Sequence, residues 1–272
     1  MRRGARTTEG IRMSQSDYGE GGIIGMLTPQ ANTTVEPEFW SLLPADWSMI
    51  NARLTSDKGT IEERLVDYTT RFVETAQQFA NAPIDVIGIG CTGASYLIGR
   101  ETEQRLMAEI SQAHGIPCWT AAAATVKALD AIGAKKIALL SPYPDTLNAK
   151  CVPYWESFGY EVVACTGPKL VTEKFHPIYA MTGAATLDSM RELQKLDCDA
   201  IAMLGTGMPT LLPLVAGERG DGPVPISCNL ALAWACVEPQ RGRALDAPTL
   251  KEWVDGVEWK SRFRALFPAA AG

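Results

Sequence analysis

Short apolar runs, rich in β-branched residues, alternate along the chain with longer segments in which apolar residues recur at helical spacing. The runs of strand length are Ile23–Leu27, Val86–Gly90, Pro117–Trp119, Ile137–Ser141, Glu161–Cys165, Ala200–Leu204 and Val224–Ser227. The segments of helical pattern are Glu62–Ala80, Tyr96–His114, Ala121–Ile132, Asn148–Phe158, Thr182–Leu196, Leu230–Ala235 and Thr249–Leu266. This alternation is typical of parallel sheets covered by helices. We therefore predict an α/β fold.

The chain contains an internal repeat. The segments Asp85–Gly93 and Asp199–Gly207 are both apolar runs that end in a Thr-Gly turn, and they lie 114 positions apart. The strand candidates that begin at Ile23 and Ile137 are separated by the same 114 positions. Because two strand–turn pairs share one offset, we predict a duplicated unit and therefore two similar lobes.

The repeat also predicts how the chain is divided. We expect a flexible tail over residues 1–22, a first α/β lobe over 23–133 and a second α/β lobe over 134–235. The remaining residues, 236–272, form a predicted helical segment that packs on the first lobe or on a partner. The boundary between the lobes falls near Gly133, where a predicted helix ends.

Composition narrows the class of partner. The chain has 272 residues, a formal net charge of −6 and a sequence pI of about 5.1. It has no basic footprint for nucleic acid or for an anionic membrane surface. No apolar run has the length of a membrane span, and the N-terminal segment lacks the apolar core of a secretory signal. We expect a cytoplasmic protein that binds a small molecule.

The 7 cysteines are odd in number and include no C-x-x-C pair. This pattern is not that of a disulfide framework or of a zinc site. We expect no bound metal, and most of the thiols should be buried and reduced.

The most reactive candidate is Cys91, which follows the strand Val86–Gly90. Ligands of parallel α/β proteins gather beyond the carboxyl ends of the strands. The N–H groups of Thr92 and Gly93, at a predicted helix start, can bind an anionic oxygen, and the helix terminus can lower the pKa of the thiol. A lone cysteine after a strand is usually structural, but the repeat and the Thr-Gly turn favour a catalytic Cys91.

The second copy of the turn differs at one position. Gly205 stands where the first copy has Cys91, so the second turn offers donors from Thr206 and Gly207 but no side-chain base. Only one side of the predicted cleft therefore carries a thiol.

Polar residues follow two other predicted strands. Asn32 lies in the amide- and hydroxyl-rich segment Thr28–Glu36, which can bind a carboxylate or can simply form a polar turn with a helix cap. Tyr143 follows the matching strand of the second lobe, where its hydroxyl can donate to the substrate or pack at an interface.

Three further residues are auxiliary candidates. Cys228 and Asn229 follow the strand Val224–Ser227, and Cys228 is either a second base or, as is more common, a packed thiol. His176 lies in a predicted loop and is either solvated or a proton donor that replaces the missing thiol.

The chain resembles the aspartate/glutamate racemase superfamily, and within it the branch of maleate cis-trans isomerases and arylmalonate decarboxylases. The resemblance extends over roughly Ile23 to Val237. The segments that carry it are Thr28–Glu36, Gly90–Tyr96, Ser141–Tyr143 and Ile226–Ala231. It implies two pseudo-symmetric flavodoxin-like lobes, each a mostly parallel sheet flanked by helices, with the active site in the cleft between them and with no cofactor.

The resemblance also implies three kinds of chemistry. Racemases of the family use one cysteine per lobe to move a proton, and maleate isomerases add one cysteine to the substrate double bond before rotation and elimination. Arylmalonate decarboxylases protonate an enediolate from a single cysteine in the second lobe. By the repeat, Cys91 matches the cysteine of the first lobe and Gly205 matches that of the second. The chain therefore lacks the paired thiols of the racemases and isomerases, and its lone thiol is in the opposite lobe from that of the decarboxylases.

Two reactions and one non-catalytic role follow. We predict a cofactor-independent isomerase of a small dicarboxylic acid, with Cys91 as nucleophile or acid/base and Asn32, the Thr92-Gly93 and Thr206-Gly207 turns and Tyr143 as substrate-binding groups. The alternative reaction is decarboxylation of a malonate-type acid with Cys91 as the proton donor. The alternative of another class is a carboxylate-binding protein without catalysis. Homo-oligomers are common in the family, so a second copy of the chain is a possible partner.

Overall fold

The computed structural model describes residues 17–168, 177–217 and 222–270. Its first sheet contains β1 (Gly22–Pro29), β2 (Trp47–Leu54), β3 (Val86–Ile89) and β4 (Cys118–Thr120). The strands are all parallel and lie in the order β2-β1-β3-β4. β1 and β3 are buried along their whole length, as expected for central strands that are covered by helices on both faces.

The second sheet repeats this arrangement. It contains β5 (Lys136–Leu140), β6 (Glu161–Thr166), β7 (Ala200–Met203) and β8 (Val224–Ser227), again parallel and in the order β6-β5-β7-β8. The first three strands of each sheet begin 114 positions apart. The predicted α/β fold with two pseudo-symmetric lobes is therefore confirmed, and the residue at which one lobe passes into the other stays a prediction.

Helices connect the strands and cover the sheets. They are α1 (Val35–Leu42), α2 (Ile61–Thr70), α3 (Phe72–Ala76), α4 (Gly93–His114), α5 (Ala121–Ala131), α6 (Asp145–Glu156), α7 (Gly183–Leu193), α8 (Leu211–Ala216), α9 (Cys228–Val237), α10 (Ala247–Asp255) and α11 (Lys260–Leu266). α4 is interrupted at Gly99, whose φ of 73° is not helical. The segment before Gly99 is thus a separate short helix that begins at the Cys91 turn.

Several elements differ from the sequence prediction. β2, α1 and α8 were not predicted, and two of the longer predicted helices are each divided. The predicted helix Glu62–Ala80 is divided at Arg71, and the predicted helix Thr249–Leu266 is divided at Gly256, which has a φ of 73° and ends α10. A left-handed glycine is a common helix stop, because it has no Cβ to clash with the backbone.

The lobes meet through two helices that occupy equivalent places. α5 follows β4 and begins with four alanines, and α9 follows β8 and is buried at every position. The small side chains of α5 let the two helices pack closely against each other. Both begin with a hydroxyl cap, since Thr120 Oγ1 accepts from the N–H of Ala123 and Ser227 Oγ accepts from the N–H of Leu230.

The last helices close the structure over this interface. α10 packs on α9 and α5, and α11 packs on α1 of the first lobe. The guanidinium of Arg262 donates from Nε to the carbonyl of Ser41 at 2.7 Å and fixes α11 to α1. None of the described helices has the length and apolar character needed to cross a membrane.

Candidate active site

The turns after β3 and β7 face each other across the lobe interface. Thr92 Oγ1 accepts a hydrogen bond from the N–H of Gly205 at 3.0 Å, and Thr206 Oγ1 donates to the carbonyl of Gly90 at 2.6 Å. Each threonine of the repeat therefore binds the backbone of the other copy. These reciprocal bonds hold the two predicted strand ends at one place.

A small cavity of about 40 Å³ lies beside the two turns. Five of the predicted site residues line it: Asn32, Cys91, Tyr143, Thr206 and Gly207. A volume of this size holds roughly three waters, at 10–15 Å³ of such volume for each. It therefore suits a short acyclic molecule better than an aromatic one.

Cys91 is 3% exposed and lies at the start of α4. Backbone N–H groups of Gly93 and Ala94 donate to its sulfur, which lowers the pKa of the thiol as the sequence predicts. Burial has the larger, opposite effect and raises the pKa of Cys91 to about 11. The net shift is thus opposite to the predicted one, and the thiol is the major form at neutral pH.

The Asn32 amide caps a helix and leaves one hydrogen unused, so binding of a carboxylate stays a prediction. Its Oδ1 accepts from the N–H groups of Thr34 and Val35 at 2.8 and 3.1 Å, which caps the start of α1. Its Nδ2 donates to Thr206 Oγ1 at 3.1 Å. An amide nitrogen carries two hydrogens, so one remains for a ligand in the cavity.

Tyr143 lines the cavity and contacts Thr92, which lies outside the lining. The hydroxyls of the two residues lie 3.2 Å apart, and burial raises the pKa of Tyr143 well above its usual range. The Tyr143 ring packs over Gly93, where an added Cβ would lie 3.0 Å from the phenolic oxygen. Thr92 and Gly93 themselves are outside the lining. Their groups bind the second turn and the sulfur instead of reaching the cavity.

The position that matches Cys91 in the second lobe has no room for a side chain. Gly205 has a φ of 75°, and a Cβ built there would lie 2.3 Å from Cγ of Pro142. Both the backbone conformation and the proline ring therefore exclude a second thiol at this place.

The auxiliary candidates do not supply the missing group in the described lining. Cys228 is buried at the start of α9, where burial raises its pKa, and it does not line the cavity. Asn229 also lies outside the lining, and its Nδ2 donates to the carbonyl of Thr206 at 3.1 Å and to Glu38 Oε2 at 2.7 Å. His176 lies outside the described residues.

Among the lining residues that the sequence analysis missed, three have polar side chains outside the segments it singled out: Arg64, Tyr68 and Tyr179. Arg64 is the charged member of the described lining, and its guanidinium donates to the carbonyls of Lys58 and Gly59. Neither bond neutralises its positive charge. Burial raises the pKa of Tyr68 to about 12. Arg64 and Tyr68 are four positions apart on a predicted helix and therefore lie on the same face of it. This spacing is the sequence feature that could have indicated the two residues together.

No group of three or more His, Cys, Asp or Glu side chains within 17–168, 177–217 and 222–270 is arranged to hold a metal ion.

The family model for arylmalonate decarboxylase matches residues 24–247. The chain belongs to the arylmalonate decarboxylase family. The match covers both sheets and every described residue of the cavity. The suspected relationship, which was based on the strand-end segments, is therefore confirmed.

Relatives in this family include both kinds of enzyme. The maleate isomerase of Pseudomonas putida is 30% identical over 150 residues, which are 51% of this chain and 60% of that enzyme. The alignment thus spans only about 60% of the length of the Pseudomonas putida enzyme. The arylmalonate decarboxylase of Bordetella bronchiseptica is 26% identical over 234 residues, or 83% of this chain and 93% of that enzyme.

A solved structure shares the arylmalonate decarboxylase family fold seen here. It is a mutant of the Nocardia farcinica maleate cis-trans isomerase with a covalently bound succinylcysteine intermediate. The TM-score is 0.71 at 23% identity, and the alignment covers 85% of this chain and 98% of that one. At this identity the likeness supports the two-lobed fold.

Proposed function

We propose that this member of the family is a cofactor-independent isomerase of a small unsaturated dicarboxylic acid, with Cys91 as the nucleophile. The observation that carries the proposal is the cavity itself. It places one thiol beside neutral donors from Asn32, Thr206 and Gly207, in a volume of about 40 Å³. These donors suit one carboxylate of a short diacid, and the Arg64 guanidinium in the same lining suits the other.

The proposed reaction needs one thiol. The Cys91 thiol first loses its proton to solvent. The thiolate then adds to one carbon of the double bond, and the electron pair of that bond moves to the neighbouring carbon and its carboxylate as an enediolate. The remaining single bond rotates, and the electron pair then expels the thiolate to form the trans alkene. No proton is gained or lost overall. The succinylcysteine found in the Nocardia farcinica relative is a thioether like this adduct, with one further proton on the carbon that carries the electron pair here.

The donors of the cavity stabilise the charge that develops in this sequence. The free hydrogen of Asn32 Nδ2 and the N–H of Gly207 are assigned to the carboxylate that becomes the enediolate, because both lie on the side of the second turn. Donors that are already fixed in place cost no reorganisation when the charge appears. Arg64 is assigned to the other carboxylate, since it is the described cation of the lining.

A second candidate function is decarboxylation of a malonate-type acid. The observation that favours it is the protonation of Cys91, whose raised pKa of about 11 suits a proton donor better than a nucleophile. Loss of carbon dioxide would leave the electron pair in an enediolate, and the thiol would protonate the α-carbon. The thiolate would then regain a proton from solvent.

Proton NMR in D2O distinguishes these functions. The purified protein, with Cys91→Ser as the matched variant, is incubated with maleate, methylmalonate and phenylmalonate. We expect fumarate from maleate without deuterium at the vinyl carbons, and only with the Cys91 protein. Loss of carbon dioxide with deuterium in the product would assign the decarboxylase instead. Binding of a diacid with no conversion of any acid would assign the carboxylate-binding role.

A further inference from the structure

Glu38 is a buried carboxylate that the sequence analysis did not single out. It lies on α1 of the first lobe and is 5% exposed, yet its partners belong to the second lobe. The N–H groups of Thr210 and Leu211 and the hydroxyl of Thr210 donate to it, together with Nδ2 of Asn229. A buried carboxylate without such donors would be strongly disfavoured.

Asn229 connects this carboxylate to the cavity. Its Nδ2 donates both to Glu38 Oε2 at 2.7 Å and to the carbonyl of Thr206 at 3.1 Å. Its buried Oδ1 has no hydrogen-bond partner in the described part of the chain. The two acceptors on Nδ2, the Glu38 carboxyl group and the carbonyl of Thr206, therefore fix the orientation of the amide.

The carbonyl of Thr206 shares a planar trans peptide with the N–H of Gly207. The two groups of such a peptide point in opposite directions. Asn229 holds the carbonyl and lies outside the cavity lining, whereas Gly207 belongs to the lining. The bond from Asn229 thus determines the direction of the Gly207 N–H.

We propose that Glu38 is a positioning residue that, through Asn229, holds the Gly207 N–H in place to bind a substrate carboxylate opposite Cys91. The inference rests on the proposed function, because it concerns the same cavity and the same class of substrate. It assigns the binding half of the site to an acidic residue that never touches the substrate.

The variant Glu38→Gln tests the link with little change in size. The glutamine oxygen still accepts from the N–H groups of Thr210 and Leu211, but its amide nitrogen meets Nδ2 of Asn229. The conflict is relieved when the Asn229 amide turns over, and Oδ1 then faces the carbonyl of Thr206. Two acceptors cannot bond to each other, so the peptide that carries the Gly207 N–H is released.

The first measurement needs no substrate. In ¹⁵N-labelled protein we expect the amide resonance of Gly207 to shift in Glu38→Gln and in Asn229→Ala, and to exchange faster with solvent. Glu103→Gln is the matched control. Glu103 is also buried between the lobes, but it accepts from the hydroxyls of Ser95, Thr120 and Tyr154, far from the second turn in the hydrogen-bond network. An unchanged Gly207 resonance in both test variants would overturn the proposal.

The second measurement is kinetic. Loss of one hydrogen bond to the carboxylate that becomes the enediolate should lower kcat/KM at least about tenfold, with KM raised because the bond is already present in the ground state and kcat lowered because the bond strengthens as charge develops. The double variant Glu38→Gln/Asn229→Ala should have the KM of Asn229→Ala alone. Effects that multiply would show that Glu38 does not act through Asn229. If Glu38→Gln fails to fold, the KM and the Gly207 resonance of Asn229→Ala are compared with those of the control Glu103→Gln.

Failure of the proposed function has a different result. If the wild-type protein converts no acid, the affinity for succinate, measured by calorimetry, takes the place of KM. A shifted Gly207 resonance with a weaker succinate affinity would support the role of Glu38 while the isomerase proposal fails. A shifted resonance with unchanged affinity would overturn the role of Glu38 in binding.

Discussion

The turns at Cys91 and Gly205 have the same place in two copies of one unit, yet only one of them can carry chemistry. Both follow the third strand of a sheet, and each threonine binds the backbone of the other turn. At Gly205 the φ of 75° and the ring of Pro142 leave no room for a side chain. In the first lobe the residue that matches Pro142 by the repeat is Thr28. The duplicated backbone is thus preserved while one proline and one backbone angle restrict the thiol to a single lobe.

The largest expected effect comes from removing the thiol. Cys91→Ala should lower turnover about 1,000-fold or more, because no other described group of the cavity can form the covalent adduct. Cys228→Ala is the matched control, since Cys228 is a buried thiol at a helix start outside the cavity. We expect it to keep turnover within about twofold. Comparable losses in both variants, measured by the conversion assay, would restore Cys228 as a second base.

The pH dependence of kcat/KM tests which form of Cys91 reacts. Below the raised pKa of about 11 the thiolate is the minor form. If Cys91 is the nucleophile, kcat/KM should rise about tenfold for each pH unit between about pH 6 and 9. A proton donor would already be in its active form, so the same profile would be flat. A flat profile with maleate would contradict the nucleophilic role.

An attempt to restore the second thiol should destabilise the fold. We expect Gly205→Cys to lower the free energy of unfolding by about 2–4 kcal/mol, because the left-handed conformation and the overlap with Pro142 both oppose a Cβ. Gly205→Ala adds the Cβ without the sulfur, and it should show most of the decrease in the free energy of unfolding that Gly205→Cys shows. In Gly205→Cys/Pro142→Ala part of the stability should return. Chemical denaturation measures all three, and a Gly205→Cys protein as stable as the wild type would show that the turn adapts.

The smallest expected effect concerns Glu103, the buried carboxylate on the Cys91 side. Burial raises its pKa, so the folded state binds its proton more tightly than the unfolded state does. Its contribution to stability is therefore fully present below about pH 4.5 and is lost as pH rises towards the raised pKa. This pH-dependent contribution should be absent from the free energy of unfolding of Glu103→Gln, and its slope in the wild type is at most about 1.4 kcal/mol per pH unit.

The comparison variant for Glu103 is Asp199→Asn. Backbone N–H groups of Lys136 and Lys135 lower the pKa of Asp199, so its contribution is present above the usual aspartate pKa and is lost as pH falls. Glu103→Gln should therefore remove a loss of stability that occurs as pH rises, and Asp199→Asn should remove a loss that occurs as pH falls. Identical profiles for both would contradict the assignment for Glu103.

The internal repeat made most of the fold predictable, and more than we used. The 114-position offset that relates β1 to β5 also leads from the predicted strand at Glu161 back to Trp47, where β2 begins. β2 was missed because it is an edge strand with exposed Asn51 and Ile50, so it lacks the continuous apolar run of the central strands. α8 was missed because it has 6 residues and contains Pro213.

Part of the cavity was predictable from the rule that ligands of parallel α/β proteins bind beyond the carboxyl ends of the strands. This rule led to Asn32, Cys91, Tyr143, Thr206 and Gly207, which follow strands of both lobes. Arg64 and Tyr68 come from α2, to which that rule does not apply. Glu38 was beyond reach for another reason, since its partners are more than 170 positions away along the chain. Burial of the Cys91 sulfur, which reverses the expected pKa shift, also depends on packing that a local pattern does not contain.

The reciprocal bonds between the two turns also determine how a ligand can reach the thiol. A clamshell motion of the lobes would break the bonds of Thr92 and Thr206 to the opposite backbone, together with the bond from Thr34 Oγ1 to the carbonyl of Gly207. Each such break costs roughly 1 kcal/mol and exposes buried polar groups. We therefore expect the ligand to pass along the surface of α2, between Arg64 and Tyr179, while the hinge between the lobes stays closed.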